Sequence, residues 1–110
     1  MAGKFEIYKS DKNEDYYFRL KAVNGQVVLT SQGYGDKAGA KNGVESVKKN
    51  SKDKGSFECK TSSNGKYFFN LKAKNGQIIG SSQMYKSQSG RDNGVEAIGR
   101  ASKGAKVEEL

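Results

Sequence analysis

Side chains capable of chemistry are few in this 110-residue chain. It contains no His and one Cys, Cys59, which excludes His-based acid/base catalysis, His metal ligation and an internal disulfide. Cys59 has no Cys or His partner for a zinc site and no His to activate it as a nucleophile. A buried structural thiol is the expectation, because free Cys usually packs as a small apolar residue. Carboxylates recur in pairs, Glu6 with Glu58 and Glu45 with Glu96, and two carboxyl groups about 5–10 Å apart can run glycoside hydrolysis. Nothing in the spacing makes these pairs converge, so they are expected to face solvent beside lysines.

Two further motifs imitate ligand loops and fail on their spacing. Gly33-x-Gly35-x-x-x-Gly39 places its third glycine one position too late for a dinucleotide fingerprint, and the equivalent later positions are Met84, Lys86 and Gly90. Asp11-x-Asn13-x-Asp15 opens like a calcium loop but has Tyr16 at the sixth position and Ala22 at the twelfth, where a glycine and a carboxylate are needed. An exposed acidic hairpin turn is expected there. No cofactor and no metal are therefore expected, and no enzyme.

What must position these residues is a duplicated unit. Shifted by 51 positions, Phe18-Arg19-Leu20-Lys21-Ala22 aligns with Phe69-Asn70-Leu71-Lys72-Ala73, Ser31-Gln32-Gly33-Tyr34 with Ser82-Gln83-Met84-Tyr85, and Asn42-Gly43-Val44-Glu45 with Asn93-Gly94-Val95-Glu96. Phe5-Glu6 matches Phe57-Glu58 at 52, so the first turn of the second copy is one residue shorter. The repeats span residues 1–55 and 56–110. The formal charge of +8 divides evenly, with eleven cations against seven carboxylates in the first repeat and nine against five in the second.

Each repeat reads strand, turn, strand, turn, strand, helix. The period-2 sets Phe5/Ile7, Tyr16/Phe18/Leu20/Ala22 and Tyr67/Phe69/Leu71/Ala73 mark half-buried strands. Asn24-Gly25, Asn64-Gly65 and Asn75-Gly76 suit two-residue hairpins with positive φ, and Asp36 and Ser87 are the expected helix N-caps. Glycines on the apolar helix faces, Gly39 and Gly43 with Val44 and Val47, then Gly90 and Gly94 with Val95 and Ile98, predict that helix backbone lies close against the sheet. One repeat alone is a marginal unit. The expectation is a single α+β domain over residues 1–110: one antiparallel sheet shared by two tandem β-β-β-α(-β) repeats, two helices on one face, and Val107–Leu110 as a closing strand in the place Phe57 holds after the first helix.

These motifs, Phe-x-Leu-Lys-Ala-x-Asn-Gly at Phe18–Gly25 and Phe69–Gly76 with Ser-Gln-x-Tyr and Asn-Gly-Val-Glu following, resemble the YegP-like family of small bacterial proteins of unknown function. The resemblance covers nearly the whole chain, twice. It implies an α+β fold with exchanged terminal strands, which single-repeat members would reach as dimers, and it implies no activity. Arg91 departs from the pattern, standing where Ala40 does.

If Tyr16, Phe18 and Leu20 point into the core, Tyr17, Arg19 and Lys21 point away from it, and the second copy offers Phe68, Asn70 and Lys72. Aromatics interleaved with cations on an open sheet can stack single-stranded bases and hold phosphates. This face is the expected binding surface for single-stranded nucleic acid or another polyanion. Against it stand 17 Lys and only three Arg among the 20 cations, since bidentate phosphate and base recognition favours Arg, and Gly65-Lys66-Tyr67-Phe68-Phe69 fails the RNA-recognition signature. The alternative is a protein-interaction or structural module that uses the same face, anchored by Tyr17 and Phe68, or a sheet edge. The Ser-Gln-x-Tyr corners are expected to satisfy backbone groups and to pack Tyr over the helix start. Met1–Ser10 lacks the apolar stretch of a signal peptide and no apolar run could span a bilayer, so a cytoplasmic monomer, a fused pseudo-dimer without membrane partners, is expected.

Overall fold

The computed structural model describes residues 3–110. In chain order it contains β1 (Lys4–Lys9), β2 (Tyr16–Lys21), β3 (Val27–Ser31), α1 (Lys37–Asn50), a 3-10 turn (Lys54–Ser56), β4 (Phe57–Thr61), β5 (Tyr67–Lys72), β6 (Ile78–Ser81), α2 (Gln88–Ser102) and β7 (Lys106–Glu109). The seven strands form one sheet in the order β4-β5-β6-β3-β2-β1-β7. The repeats meet at the centre, where β3 and β6 run antiparallel with Thr30 opposite Ser81 and Ser31 opposite Gly80. Every adjacent pair is antiparallel except β1 and β7, which run parallel. Among the described residues no helix is long and apolar enough to cross a membrane.

The period-2 alternation is realised as one apolar side facing both helices. Phe5, Ile7, Phe18, Leu20, Leu29, Phe69 and Leu71 form a continuous core with Ala40, Val44 and Val47 of α1 and Ile98 and Ala101 of α2. Phe5 meets Phe18 edge-on with centroids 5.9 Å apart, and Phe57 meets Phe69 in the same way at 5.5 Å. The expected caps form: Asp36 accepts from the Gly39 N–H and Ser87 from the Gly90 N–H, each satisfying a backbone donor at a helix start.

At the corners, Ser31 Oγ accepts from the Phe18 N–H at 2.9 Å and donates to the Gln32 carbonyl at 2.8 Å; Ser82 does the same with Phe69 and Gln83 at 3.0 and 2.8 Å. Tyr34 then stacks on Phe18 and Tyr85 on Phe69, with centroids 6.1 and 6.3 Å apart. The helix glycines accommodate these rings: a Cβ on Gly43 would lie 2.6 Å from Phe18 Cε2 and closer still to the Tyr34 hydroxyl. The helices thus approach the corner tyrosines as well as the sheet.

Three expectations about turns, strand ends and Cys59 change. The Asn-Gly hairpins are not two-residue turns, because only Gly25, Gly65 and Gly76 have positive φ while their asparagines do not. In the β2–β3 hairpin the Gly25 N–H donates to the Ala22 carbonyl and the Ala22 N–H to Gln26, a turn closed by one left-handed glycine with the bulge that follows from it. Val107–Leu110 is corrected by one residue and by its place: β7 adds in parallel to β1, whereas Phe57 begins β4, which pairs antiparallel with β5 as β1 does with β2. Cys59 is exposed rather than buried, for its strand ends the sheet and no neighbour covers it.

Candidate binding surfaces

The side of the sheet away from the helices carries a polar row set by register. Glu58 lies opposite Asn70, Asn70 opposite Ser81, Ser81 opposite Thr30, Thr30 opposite Arg19, Arg19 opposite Glu6 and Glu6 opposite Glu108. All six sequence candidates share this side, but the functional groups of all except Phe68 are engaged internally. Arg19 Nε lies 2.7 Å from Glu6 Oε1, and the Lys21 and Lys4 ammoniums each lie 3.3 Å from the same carboxylate. Lys72 Nζ lies 2.8 Å from Glu58, and Asn70, buried, accepts from Ser81 Oγ at 2.6 Å. The Tyr17 ring stacks on Tyr8 at 6.0 Å and its hydroxyl accepts from Asn13 Nδ2 at 3.0 Å, while the Arg19 guanidinium sits 4.7 Å over Tyr8. Phe68 is half-buried.

The anchor of this network is Glu6, which is 4% exposed rather than solvent-facing. The hydrogen bond from Arg19 is the largest influence on its acidity; burial opposes it and Lys21 and Lys4 assist, so that its pKa falls from the ordinary 4.5 to about 2. Cations beside a buried carboxylate favour its charged form. A general acid needs the opposite shift. Glu58 is lowered in the same direction, by Lys72 first, and its side chain remains 36% exposed. Of the other pair, Glu96 binds Lys54 at 2.7 Å and Glu45 is exposed at the end of the helix layer. Glu6 and Glu58 stand on strands five places apart in the sheet, so that pair does not converge.

Sequence reasoning missed a second surface, at the end of the helix layer. Ser51 and Ser102 occupy equivalent positions in the two repeats, are both buried, and meet hydroxyl to hydroxyl at 3.0 Å. The two repeats therefore meet here as well as at β3 and β6. Around this contact opens a cleft of about 430 Å³ lined by Lys48, Lys49, Lys52 and Lys103, with Glu45 as its one carboxylate. None of these four lysines makes an ion pair among the described residues. Both helices end nearby, and two helix C-termini contribute together about one negative charge; four ammoniums exceed that and Glu45 combined. A signal was present in the sequence: Ser-Lys recurs at Ser51-Lys52 and Ser102-Lys103, in the repeat register. Its meaning depended on knowing that the fold brings those copies together.

Comparison with known proteins agrees with the duplication. A family model described as a domain of unknown function, DUF1508, matches residues 11–58 and again 62–109. The chain is 52% identical over its whole length to a UPF0339 protein encoded beside the ptx operon of Stutzerimonas stutzeri, covering 98% of that relative. It is 50% identical over 98 residues to the UPF0339 protein YegP of Escherichia coli K12, which covers 89% of this chain and 88% of the relative. Two solution NMR structures superpose closely: yegP from E. coli, described as a protein of unknown function, with TM-score 0.93 over 99% of this chain and 93% of that one, and a UPF0339 protein from Shewanella oneidensis, with TM-score 0.92 over 100% and 92%, both 45% identical. None of these descriptions assigns an activity.

Proposed function

The chain belongs to the DUF1508 family, whose members compared above are uncharacterised, and we propose that it acts there as a non-enzymatic, cytoplasmic binding module for polyanions, with its site in the lysine cleft between the helix ends. The observation that carries this reading is the contrast in charge pairing between the two surfaces. On the bare sheet face Arg19, Lys21 and Lys72 are each held by a carboxylate, so an incoming phosphate would have to displace an intramolecular partner. In the cleft Lys48, Lys49, Lys52 and Lys103 line a concave space and none makes an ion pair among the described residues, while Lys48 Nζ lies 5.9 Å over the Phe5 ring. Lysine suits this role, because an ammonium on a flexible stem meets phosphates as a point charge without demanding fork geometry. Such recognition is sequence-tolerant and falls steeply with salt.

The test is fluorescence anisotropy with a short labelled oligothymidylate and with labelled polyphosphate, across a salt series. Binding is expected in dilute buffer, weakening steeply as salt rises. Combining Lys52→Glu with Lys103→Glu should weaken it at least tenfold, while combining Arg19→Gln with Lys72→Gln should leave it within about twofold. Absence of binding in dilute buffer, or greater loss from the sheet-face pair than from the cleft pair, would refute the assignment.

A further inference from the structure

The pseudo-twofold symmetry is broken at the ends of the sheet. β1 and β4 begin equivalent repeats, yet β1 is flanked by β7 and β4 has no strand on its outer side. The backbone shows what is left open. The Ile7 carbonyl accepts from the Leu110 N–H at 2.9 Å, so Ile7 turns its peptide groups toward β7. Cys59 takes the place of Ile7 in the second repeat, and its N–H and C=O face the vacant side, as those of Thr61 do by alternation.

A strand resembling β7 does not suit that place. Glu109 of β7 is held by Lys37 and Lys41 of α1, at 3.1 and 3.2 Å; the equivalent positions on α2 are Gln88 and Asp92. β4 is instead complementary to itself. In an antiparallel pairing about a twofold axis through Cys59, Glu58 of one copy stands opposite Lys60 of the other on the helix-free side, and Phe57 stands opposite Thr61 on the helix side. Shifting the register by one pair while keeping the faces sets Glu58 against Glu58 or Lys60 against Lys60. Opposite charges directly across strands are favourable and like charges unfavourable, so the charges select one register. They also guard the edge against indiscriminate pairing. Glu58 keeps partners in its own chain, Lys72 at 2.8 Å and Lys60 at 3.4 Å, so the pairing across the seam adds to ion pairs already made.

We propose that two copies of this chain associate edge to edge through β4, antiparallel and in register at Cys59, joining their sheets into one. Cys59 of each copy exchanges backbone hydrogen bonds with its counterpart, and Glu58 and Lys60 of the two copies alternate in sign across the seam. The contact is short, so the dimer forms at high micromolar concentration and dissociates on dilution.

Sedimentation velocity on the full chain over a concentration series tests this, alongside a short bis-maleimide that links Cys59 to Cys59. Wild type is expected to show a reversible monomer–dimer equilibrium and a crosslinked dimer. Lys60→Glu sets carboxylates opposite one another and should weaken association at least tenfold, and adding Glu58→Lys should restore it together with the crosslink. Thr61→Pro removes an outward N–H without touching the pairing with β5 and should also weaken the dimer, giving a second route if Lys60→Glu fails to fold. A chain that stays monomeric up to millimolar concentration, or a dimer that both Lys60→Glu and Thr61→Pro leave intact, overturns the proposal.

Discussion

β1 and β4 are the same strand made twice, and they end in different states. In β1, Phe5, Glu6 and Ile7 are all buried; their counterparts Phe57 and Glu58 are half-buried and Cys59 is exposed. The cause is a single asymmetry of connection. The segment after α2 returns to flank β1, whereas the segment after α1 is itself β4 and leaves nothing to flank it. Two repeats joined head to tail have one extra strand to place, and it covers the outer side of β1, leaving β4 and β7 as the two edges of the sheet. Burial and charge pairing follow: Glu6 gathers three cations and its pKa drops to about 2, while Glu58 gathers Lys72 and Lys60 in the open and is lowered by Lys72 first.

The sharpest way to break this comparison is to neutralise the two glutamates. Glu6→Gln leaves partly buried Arg19 and Lys21 without their carboxylate, and the fall of its pKa from 4.5 to about 2 corresponds to about 3 kcal/mol of stability at neutral pH. Glu58→Gln, at the exposed position, should shift the urea midpoint far less, because solvent screens its pairs. Since the folded pKa of Glu6 is depressed, its contribution is complete above pH 4.5 and is lost as pH falls toward 2. The gap between wild type and Glu6→Gln in urea denaturation should therefore close across that window. A gap that persists at pH 2, or equal midpoint shifts for the two variants at neutral pH, would contradict the difference in burial.

A smaller effect comes from making the two ends alike. Deleting residues 105–110 removes β7, with its ion pairs to Lys4, Lys37 and Lys41, and should cost about 1–2 kcal/mol once the chain entropy regained by the freed segment is set against lost hydrogen bonds. Thermal denaturation reads this as a lower Tm, and an unchanged Tm would mean that β7 does not cover β1. The smallest contrast lies in the helices. Gly43→Ala and Gly94→Ala both press on a corner tyrosine, but the added Cβ lies 2.6 Å from Phe18 in the first and 3.1 Å from Phe69 in the second. Overpacking of about 1–3 kcal/mol is partly offset by the roughly 1 kcal/mol that Ala gains over Gly in a helix. Gly43→Ala should be the more destabilising of the two in denaturant titrations, and the reverse order would count against the packing described.

The local pieces of this fold were legible because each is decided within a few residues. Period-2 runs gave the strands of the repeat core, Asp36 and Ser87 capped the helices as their side chains allow, and the 51-residue register revealed the shared architecture. What escaped depended on contacts between distant segments. Whether Glu6 is buried depends on β7, a hundred residues away, and on cations converging from β1 and β2. Cys59 reads like a core thiol on its own strand and is exposed only because nothing pairs beyond it. The Asn-Gly pairs signalled turns but not their kind, since loop length decides whether one or two residues adopt positive φ. The lysine cleft was spelled in recurring Ser-Lys pairs, but only the contact between Ser51 and Ser102 turns that recurrence into a surface. The sheet-face candidates were placed on the correct side by alternation, yet alternation does not say that Glu6 and Glu58 would occupy their charges.

Amide hydrogen exchange at Ile7 and Cys59, followed by NMR in a dilute sample where any association through β4 is absent, separates the covered strand β1 from the open strand β4. Ile7 should be protected, because β7 must detach before its N–H meets water, and Cys59 should exchange about tenfold faster, because its N–H already faces water. Equal protection of the two amides would contradict the picture of a duplicated sheet in which β1 is covered and β4 is open.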